Sequence, residues 1–349
     1  MNRIGISSYT EDRLAALMQE LGQPAFRARQ LFRWLHAKQV GSFSEMTDQP
    51  KALLAALEER FFIETLAVQR RQQSRDGTVK YLLRLPDNNC IETVWMRYSY
   101  GNTVCVSTQV GCRMGCRFCA STQGGRVRNL TAGEIAGEIY AAARDQGERV
   151  SHIVLMGIGE PLDNFDNVMD FLSIISSPNG ANIGMRNISL STCGLVPMIE
   201  KLAGRRLGLT LSISLHAPTN EMRSAMMPVN DAYPLEQLIP ACRAYQKTTG
   251  RRISFEYSMV NGVNDSPGTA RRLASLLRGM GAHVNLIPIN PVDGSPYSAS
   301  DAANIRRFQT MLTQLGVNAT VRRRLGTDIS AACGQLRREE AGQTADGTA

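Results

Sequence analysis

The chain has 349 residues, of which 43% are hydrophobic and 20% charged, with a formal net charge of +8. The first 17 residues lack the apolar core of a signal peptide, and no later stretch approaches the roughly 18 uninterrupted apolar residues of a membrane span. We therefore expect a soluble cytoplasmic protein with no membrane partner. In that compartment its eight cysteines are not expected to form a disulfide scaffold, because cytosolic thiols are kept reduced.

Residues 1–75 are predicted to form a small N-terminal helical domain. Helical apolar spacing covers Glu11–Leu21, Phe26–Leu35 and Pro50–Phe61. In the second of these helices the basic residues lie away from the apolar face. A basic surface favours a polyanionic partner, so we expect this domain to bind RNA through the helix that carries Arg27, Arg29, Arg33 and Trp34. The alternative is a solvated basic face beside a core aromatic residue.

Residues 76–100 are predicted to be a β-rich linker. Asp76-Gly77 indicates a turn, and the strands Thr78–Leu85 and Ile91–Arg97 follow it.

Residues 101–320 alternate short β-rich runs with helical stretches. The predicted strands are Thr103–Ser107, His152–Met156, Asn187–Ser191, Thr210–Leu215, Ile253–Val260 and His283–Pro288. Six such units predict an α/β fold with a partial, parallel (β/α)6 barrel, because a complete barrel needs eight. The C-terminal ends of barrel strands carry the chemistry in such enzymes. Residues 321–349 remain as a C-terminal tail, whose last ten or so residues we expect to be disordered.

Three cysteines, Cys112, Cys116 and Cys119, follow the first predicted barrel strand with C-x3-C-x2-C spacing. Such a loop can direct three thiolates at one [4Fe–4S] cluster and leave the fourth iron without a protein ligand. S-adenosylmethionine (SAM) can chelate that iron through its amino and carboxylate groups. The alternative is zinc, although structural zinc usually takes four ligands at paired spacing.

The cysteine motif, with Phe118 before its third cysteine, resembles that of the radical SAM superfamily. Longer strings resemble the RlmN/Cfr family of radical SAM RNA adenine methyltransferases: Asn102–Cys112, Arg128–Glu134, Ser214–Pro218 and Ala331–Leu336. The resemblance covers nearly the whole chain, to about Arg338. It implies a radical SAM barrel and a C-terminal tail that carries a catalytic cysteine.

The same resemblance assigns the residues that bind SAM. Gly157–Pro161 follows the second barrel strand and corresponds to the family's glycine-rich element, although Gly-x-Gly after a strand is weak alone. The implied contacts are Gly159, Glu160, Ser191, Ser214, Leu215, His216 and Asn290. For His216 the alternative is a structural histidine.

Two further cysteines and a carboxylate receive catalytic roles from the resemblance. Cys333 matches the cysteine that carries the methyl group as S-methylcysteine. Cys105 matches the resolving cysteine, which forms a transient disulfide with Cys333, and Glu92 matches a proton acceptor near the substrate base. The alternatives are two inert buried thiols and an exposed carboxylate on a strand.

The implied activity is methylation of carbon-2 of an adenosine in 23S rRNA, and by family habit of a tRNA adenosine next to the anticodon. Cfr-like methylation of carbon-8 and a non-catalytic metal-containing RNA-binding assembly factor stay as alternatives. We expect a monomer that receives electrons from a donor such as flavodoxin or ferredoxin. Arg322–Arg324 is a second predicted RNA contact, and Arg126 departs from the apolar residue usual in the family.

Overall fold

The computed structural model describes residues 3–289, 296–326 and 328–329. In these ranges the α-helices are α1 (Glu11–Glu20), α2 (Phe26–His36), α3 (Lys51–Arg60), α4 (Ala132–Gln146), α5 (Phe165–Ser176), α6 (Val196–Gly204), α7 (Asn220–Met226), α8 (Val229–Ala232), α9 (Leu235–Thr249), α10 (Pro267–Leu276) and α11 (Ala302–Gln314). The strands are β1 (Ile4–Gly5), β2 (Phe61–Phe62), β3 (Ala67–Gln73), β4 (Val79–Arg84), β5 (Cys90–Tyr98), β6 (Gly101–Cys105), β7 (Gln109–Gly111), β8 (Arg126–Asn129), β9 (His152–Leu155), β10 (Ile188–Thr192), β11 (Thr210–Ser214), β12 (Ile253–Met259), β13 (His283–Pro288) and β14 (Asn318–Val321).

One ten-stranded mixed sheet organises the molecule. Its strand order is β14-β13-β12-β11-β10-β9-β6-β5-β4-β3. The pairs from β6 through β9 to β14 are parallel, whereas the pairs from β3 to β6 are antiparallel. The predicted partial (β/α)6 barrel is thus confirmed as six neighbouring parallel strands, β6 and β9 to β13, and β14 adds a seventh.

Local sequence signals fix the ends of several helices. Thr10 caps α1 by accepting the backbone N–H of Arg13. At α4, Thr131 and Glu134 form the predicted capping box, and Gly147 ends the helix in the left-handed region with φ 63°. The three predicted N-terminal helices are confirmed to within one residue at each end.

The N-terminal helices pack against the barrel helices. Gly133 on α4 lies so close to the chain at Ser7 that an added Cβ would stand 2.9 Å from its carbonyl carbon. The Glu64 carboxylate accepts the Ser7 N–H at 2.7 Å and the Ser8 hydroxyl at 2.9 Å. On α2, His36 contacts the Tyr140 hydroxyl of α4 at 3.0 Å. The predicted domain boundaries at residues 75, 100 and 320 stay predictions.

The chain after β14 returns across the open side of the sheet. We call residues 322–326 with 328–329 the closing segment. The Gly326 N–H donates to the Asp76 carboxylate at 2.9 Å, and the Asp328 carboxylate accepts the Ser74 hydroxyl at 2.5 Å and the Arg75 N–H at 3.1 Å. Because Ser74–Asp76 belongs to the turn between β3 and β4, these bonds join the two edges of the sheet.

No α-helix in the described part of the chain is long and apolar enough to cross a membrane. The predictions for Asn290, for Cys333 and for the end of the chain lie outside the described residues.

Candidate active site

The cluster loop, Cys112–Cys119, starts directly after β7 and is tied to its surroundings by backbone hydrogen bonds. The Cys112 N–H donates to Gly125 O at 3.0 Å, and the Arg117 N–H donates to Met226 O at 2.9 Å. The Thr122 hydroxyl donates to the carbonyl oxygens of Cys116 and Cys119. Together these bonds hold the three cysteines on the wall of one cleft.

That cleft, which we call the main cleft, has a volume of about 310 Å³ and lies at the C-terminal ends of the parallel strands. Its wall includes the three predicted cluster ligands and most of the predicted SAM contacts. The members predicted from the sequence are Cys112, Cys116, Cys119, Gly159, Glu160, Ser191, Ser214 and His216. The structure therefore brings together residues that are spread over about 100 positions of the chain.

The thiols of the cluster loop are poorly hydrated. Cys112 and Cys116 are buried and Cys119 is half-buried. Burial raises the pKa of Cys112 to about 12, and burial with the nearby Cys119 thiol raises the pKa of Cys116 in the same direction. Thiolates at these positions need a compensating cation, which suits metal ligands better than free nucleophiles.

The donor set fits a [4Fe–4S] cluster bound by three thiolates. No three of the described His, Cys, Asp or Glu side chains are close enough together to hold a single ion. A cubane makes a different demand, because each thiolate binds a different iron at a separate corner. Three thiols on one cleft wall would meet that demand and would leave one iron without a protein thiolate.

The glycines after β9 allow close packing against the chain from Val106, just after β6, to Gln109 at the start of β7. A Cβ at Gly157 would lie 2.6 Å from Val106 O, and one at Gly159 would lie 2.7 Å from the Gln109 Cβ. Gly159 also has φ 109°, which favours glycine. The Glu160 N–H donates to Gln109 Oε1 at 2.9 Å, so this packing fixes Glu160 beside the cluster loop.

The Glu160 carboxylate is buried and held by two backbone donors. Its Oε2 accepts the Cys193 N–H at 2.8 Å, and its Oε1 accepts the Leu162 N–H at 3.0 Å. Burial raises the pKa of Glu160, and these hydrogen bonds oppose that rise. Each oxygen keeps a lone pair that can accept a further donor from the cleft.

Ser191 and Ser214 lie near the C-terminal ends of the neighbouring strands β10 and β11, and Ser191 is directly opposite Ser212. The hydroxyl oxygens of Ser191 and Ser214 are 3.5 Å apart, and both side chains line the cleft. The next residue, Leu215, has no exposed surface, and its side chain belongs to the hydrophobic core. A contact of Leu215 with a ligand in the cleft would therefore involve its backbone.

His216 is buried with its tautomer fixed. Its Nδ1 accepts the Ser258 N–H at 3.0 Å, so the proton of the neutral ring is on Nε2. Burial, with the Arg223 charge nearby, lowers the pKa of His216 to about 3. The ring meets the edge of Phe118 at a centroid distance of 4.8 Å, which links the cluster loop to the end of β11.

Two buried residues that sequence reasoning missed support this wall. The Arg223 guanidinium has no exposed surface and donates to the carbonyl oxygens of Cys193, Ser214 and Leu215. Asn264 donates to the carbonyl oxygens of His216 and Ser258 at 2.7 and 2.6 Å. No local pattern marks either residue, because their partners come from distant strands.

Cys105 lines a second cavity, which we call the side cavity, of about 220 Å³. Its wall shares Ile287, Pro288 and Arg322 with the main cleft. Cys105 is buried at the end of β6, and its resolving role stays a prediction. The side cavity therefore adjoins the main cleft.

Glu92 is buried on β5, so the alternative of an exposed carboxylate is wrong. Its carboxylate forms a salt bridge of 3.0 Å with Lys80, and the two side chains are 3% and 0% exposed. Lys80 also lines the side cavity. Nothing in the sequence around Lys80 indicated this partner.

Arg126, the departure from the family pattern, is accommodated by a surface ion pair. Its guanidinium lies 2.8 Å from the Asp163 carboxylate, which also pairs with Arg113 of the cluster loop. These bonds connect β8 and the cluster loop to the start of α5.

The predicted RNA contacts differ in exposure. Arg29 and Arg33 are exposed on α2, whereas Arg27 is half-buried and donates to Gln30 and to Asp48 O. Trp34 is 9% exposed and donates to Asp48 Oδ1, so it is a core aromatic residue. In the closing segment, Arg322–Arg324 lines the side cavity.

Comparisons with known proteins give matches over nearly the whole chain. Residues 106–274 match the radical SAM superfamily, and residues 4–63 match the ribosomal RNA large subunit methyltransferase N-terminal domain. The chain is similar to proteins described as probable dual-specificity RNA methyltransferase RlmN. One from Desulforamulus reducens is 49% identical over 97% of each chain, and one from Clostridium perfringens is 52% identical over 95% of this chain and 96% of its own.

A solved structure extends the similarity to the fold. The chain resembles a radical SAM methyltransferase from Sphaerobacter thermophilus, with a TM-score of 0.90 and 44% identity. The match covers 95% of this chain and 98% of the other.

Proposed function

The chain belongs to the RlmN family of radical SAM RNA methyltransferases, and on this basis we propose that it methylates carbon-2 of an adenosine in 23S rRNA. We extend the proposal to a tRNA adenosine next to the anticodon, since the relatives are described as dual-specificity enzymes. The observation that carries the proposal is the main cleft itself. Three cysteines and most of the proposed SAM contacts line it, and a cavity with another cysteine adjoins it.

In this proposal Cys112, Cys116 and Cys119 hold a [4Fe–4S] cluster. When bound, the cluster supplies one electron to SAM, whose cleavage provides a radical that can remove a hydrogen atom. We propose a flavodoxin or ferredoxin as the electron donor.

The remaining predicted residues of the main cleft orient SAM. Glu160 would accept hydrogen bonds from the SAM ammonium group. Ser191 and Ser214 would donate hydrogen bonds to other polar atoms of SAM. The neutral His216 offers an Nε2–H donor. The backbone of Leu215, together with Gly159 and Asn290, completes the proposed set.

Cys333 is the proposed carrier of the methyl group, because carbon-2 of adenine is too electron-poor to attack SAM directly. Its thiolate would take a methyl group from one SAM by displacement. Loss of a hydrogen atom would then leave a methylene radical on its sulfur, which adds to carbon-2. The adduct would next return one electron to the oxidised cluster and lose the ring proton, for which Glu92 is the proposed acceptor.

Cys105 is the proposed resolving cysteine. Its sulfur would attack the Cys333 sulfur, so that a disulfide forms and the bond between Cys333 and the methylene carbon breaks. The electron pair stays on carbon, where a proton completes the methyl group. Two electrons from an external reductant must then reduce the disulfide before the next cycle.

The test compares Cys105→Ala with Cys333→Ala in anaerobically reconstituted enzyme with labelled SAM and protein-free 23S rRNA. We expect Cys333→Ala to keep about four irons but to form neither S-methylcysteine nor methylated RNA. Cys105→Ala should accumulate protein joined covalently to RNA, because the resolving step comes last. Nuclease digestion should leave a nucleotide-sized mass on the Cys333 peptide.

Several outcomes would contradict the proposal. Normal turnover by Cys105→Ala would show that Cys105 is not the resolving cysteine. Stoichiometric zinc without iron after reconstitution, or unmethylated RNA with the intact wild-type holoenzyme, would favour a binding factor. Methylation at carbon-8, identified by nucleoside mass spectrometry with carbon-specific labelling, would replace the proposed regiochemistry.

A further inference from the structure

Lys80 is a lysine with no exposed surface, in the antiparallel part of the sheet beside the side cavity. Its ammonium group lies 3.0 Å from the Glu92 carboxylate, which is 3% exposed. Burying two charges costs free energy that their attraction often fails to recover, so an apolar pair would serve stability as well. Such a pair therefore calls for an explanation in the chemistry of the cavity.

Strand register places this pair next to Cys105. Lys80 on β4 is directly opposite Val94 on β5, and Val94 is directly opposite Cys105 on β6. Residues opposite each other across paired strands point to the same face of a sheet. Glu92 precedes Val94 by two residues on β5, so its side chain shares that face and reaches Lys80 diagonally.

The backbone of Glu92 is fixed by separate contacts. The Ser107 hydroxyl donates to Glu92 O at 2.7 Å, and the Ser107 N–H donates to the Glu138 carboxylate at 3.0 Å. On the other face of the sheet, Thr93 also donates to Glu138. The strand position is thus defined without Lys80, and what the lysine adds is a charge and a direction for the Glu92 side chain.

We propose that Lys80 is a positioning residue for the methylation reaction, holding the Glu92 carboxylate oriented toward the wall that carries Cys105. The inference rests on the proposed function, in which Glu92 accepts a proton near the substrate base. A buried carboxylate without a cationic partner tends to take up a proton and then cannot act as an acceptor. The Lys80 ammonium group, 3.0 Å from the Glu92 carboxylate, is such a cationic partner.

Other charged or titratable side chains line the side cavity and can contribute to the pH dependence of RNA methylation. The groups that line it besides Lys80 are Tyr98, Cys105, Arg322, Arg323 and Arg324. Glu138 approaches from α4 on the opposite face of the sheet. None of these is altered by a substitution at Lys80.

The experiment uses the reconstituted holoenzyme and four variants: Lys80→Met, Lys80→Arg, Glu92→Gln and Lys80→Met with Glu92→Gln. The matched control is Lys201→Met, which removes a lysine from an exposed ion pair with Asp166. The measurements are iron content, methylation of Cys333 and deoxyadenosine release. RNA methylation is measured at pH values about one unit apart, from about pH 6 to about pH 9.

We expect Lys80→Met to keep its iron and its S-methylcysteine but to lose roughly tenfold or more in RNA methylation at neutral pH. The acid limb of the pH–rate profile of Lys80→Met should move to higher pH. Lys80→Arg should restore most of the methylation rate and of the wild-type pH profile. The double variant should be no slower than Glu92→Gln, because the lysine acts through the carboxylate. Lys201→Met should behave as wild type.

The inference is overturned if Lys80→Met keeps the wild-type rate and pH profile, or if its loss multiplies with that of Glu92→Gln. A folding defect would instead lower iron content and S-methylcysteine together. In that event Lys80→Arg decides, since a mere packing role predicts that this bulkier cation gives no rescue.

If the wild-type enzyme fails to methylate RNA, the proposed function fails, and urea unfolding then tests the pair alone. Lys80→Met should lower the urea concentration at the unfolding midpoint, and Lys80→Met with Glu92→Met should restore it. If this double variant is no more stable than Lys80→Met, the coupling between Lys80 and Glu92 is refuted.

Discussion

At the residue scale, buried polar side chains hold the two cavities in place, and several of them titrate far from their usual range. His36 is an example outside the site: it has no exposed surface, packs on Phe32 and contacts the Tyr140 hydroxyl. Burial lowers the pKa of His36 to about 3, from 6.5 in the unfolded chain. Between those two values the unfolded chain binds one more proton than the folded protein, so stability falls as the pH is lowered through this window.

We predict that wild-type protein loses about 2 kcal/mol more unfolding free energy than His36→Leu between pH 7 and pH 5, as expected for one proton taken up on unfolding. Urea unfolding at several pH values measures the difference. His216 titrates in the same direction, but it is present in both proteins and cancels. The control Tyr140→Phe removes the hydroxyl partner and keeps the buried imidazole, so its pH dependence should follow wild type. Parallel curves for wild type and His36→Leu would contradict the burial argument.

The residues predicted from the sequence and those missed differ in how local their signals are. The three cluster cysteines and the glycines after β9 lie in short motifs, and the structure gathers them in the main cleft. Arg223 and Lys80 could not be predicted, because a buried charge depends on carbonyl or carboxylate partners from other strands. A single Arg or Lys in a sequence carries no sign of such partners, and most are exposed.

At the element scale, the strands that were predicted are those with apolar runs buried in the sheet. All six barrel strands were found within about two residues, because each is a short run in which buried apolar residues recur, as in Ile188–Thr192 and Thr210–Ser214. Strand β3 is rich in Arg and Gln and mostly exposed, and β14 has a single buried residue. These two edge strands were missed, since edge strands are selected by pairing and polarity more than by hydrophobicity.

The closing segment is the element that joins those edges, and Asp328 is its anchor on the β3–β4 turn. We predict that Asp328→Ala increases the rate of tryptic cleavage within Arg322–Arg324 by roughly tenfold, because losing two hydrogen bonds to a carboxylate lowers the free energy of local opening. Mass spectrometry of a cleavage time course measures it. Asp231→Ala, at an exposed aspartate of α8, is the control and should leave cleavage unchanged. Equal cleavage rates in both variants would show that the anchor does not hold the segment.

At the scale of the whole molecule, the net charge of +8 must be distributed unevenly if the protein is to orient a large RNA over one cleft. Arg29 and Arg33 project from α2, and Arg323 and Arg324 are exposed in the closing segment. The N-terminal helices match the N-terminal domain of ribosomal RNA methyltransferases. These observations favour α2 as part of an RNA-binding surface, although Trp34 is engaged in the core and is not available to stack on a base.

We predict that changing Arg27, Arg29 and Arg33 together to Ala weakens RNA binding and flattens its salt dependence. If each arginine contacts one phosphate, the slope of log K against log salt should fall by about two, because each contact releases counterions from the RNA. Filter binding at several salt concentrations gives the slope. SAM cleavage should persist, since none of the three residues lines the main cleft.

Arg271, Arg272 and Arg278 provide the matched control for this experiment, because they are exposed on or just after α10. Changing these three to Ala removes the same charge from the molecule. If net charge alone determined RNA affinity, both triple variants would lose the same slope. If the α2 surface contacts phosphates, only the first should lose it, because screening confines such effects to within about 10 Å of the charge. An unchanged slope in the α2 variant would place the RNA contact on another surface of the molecule.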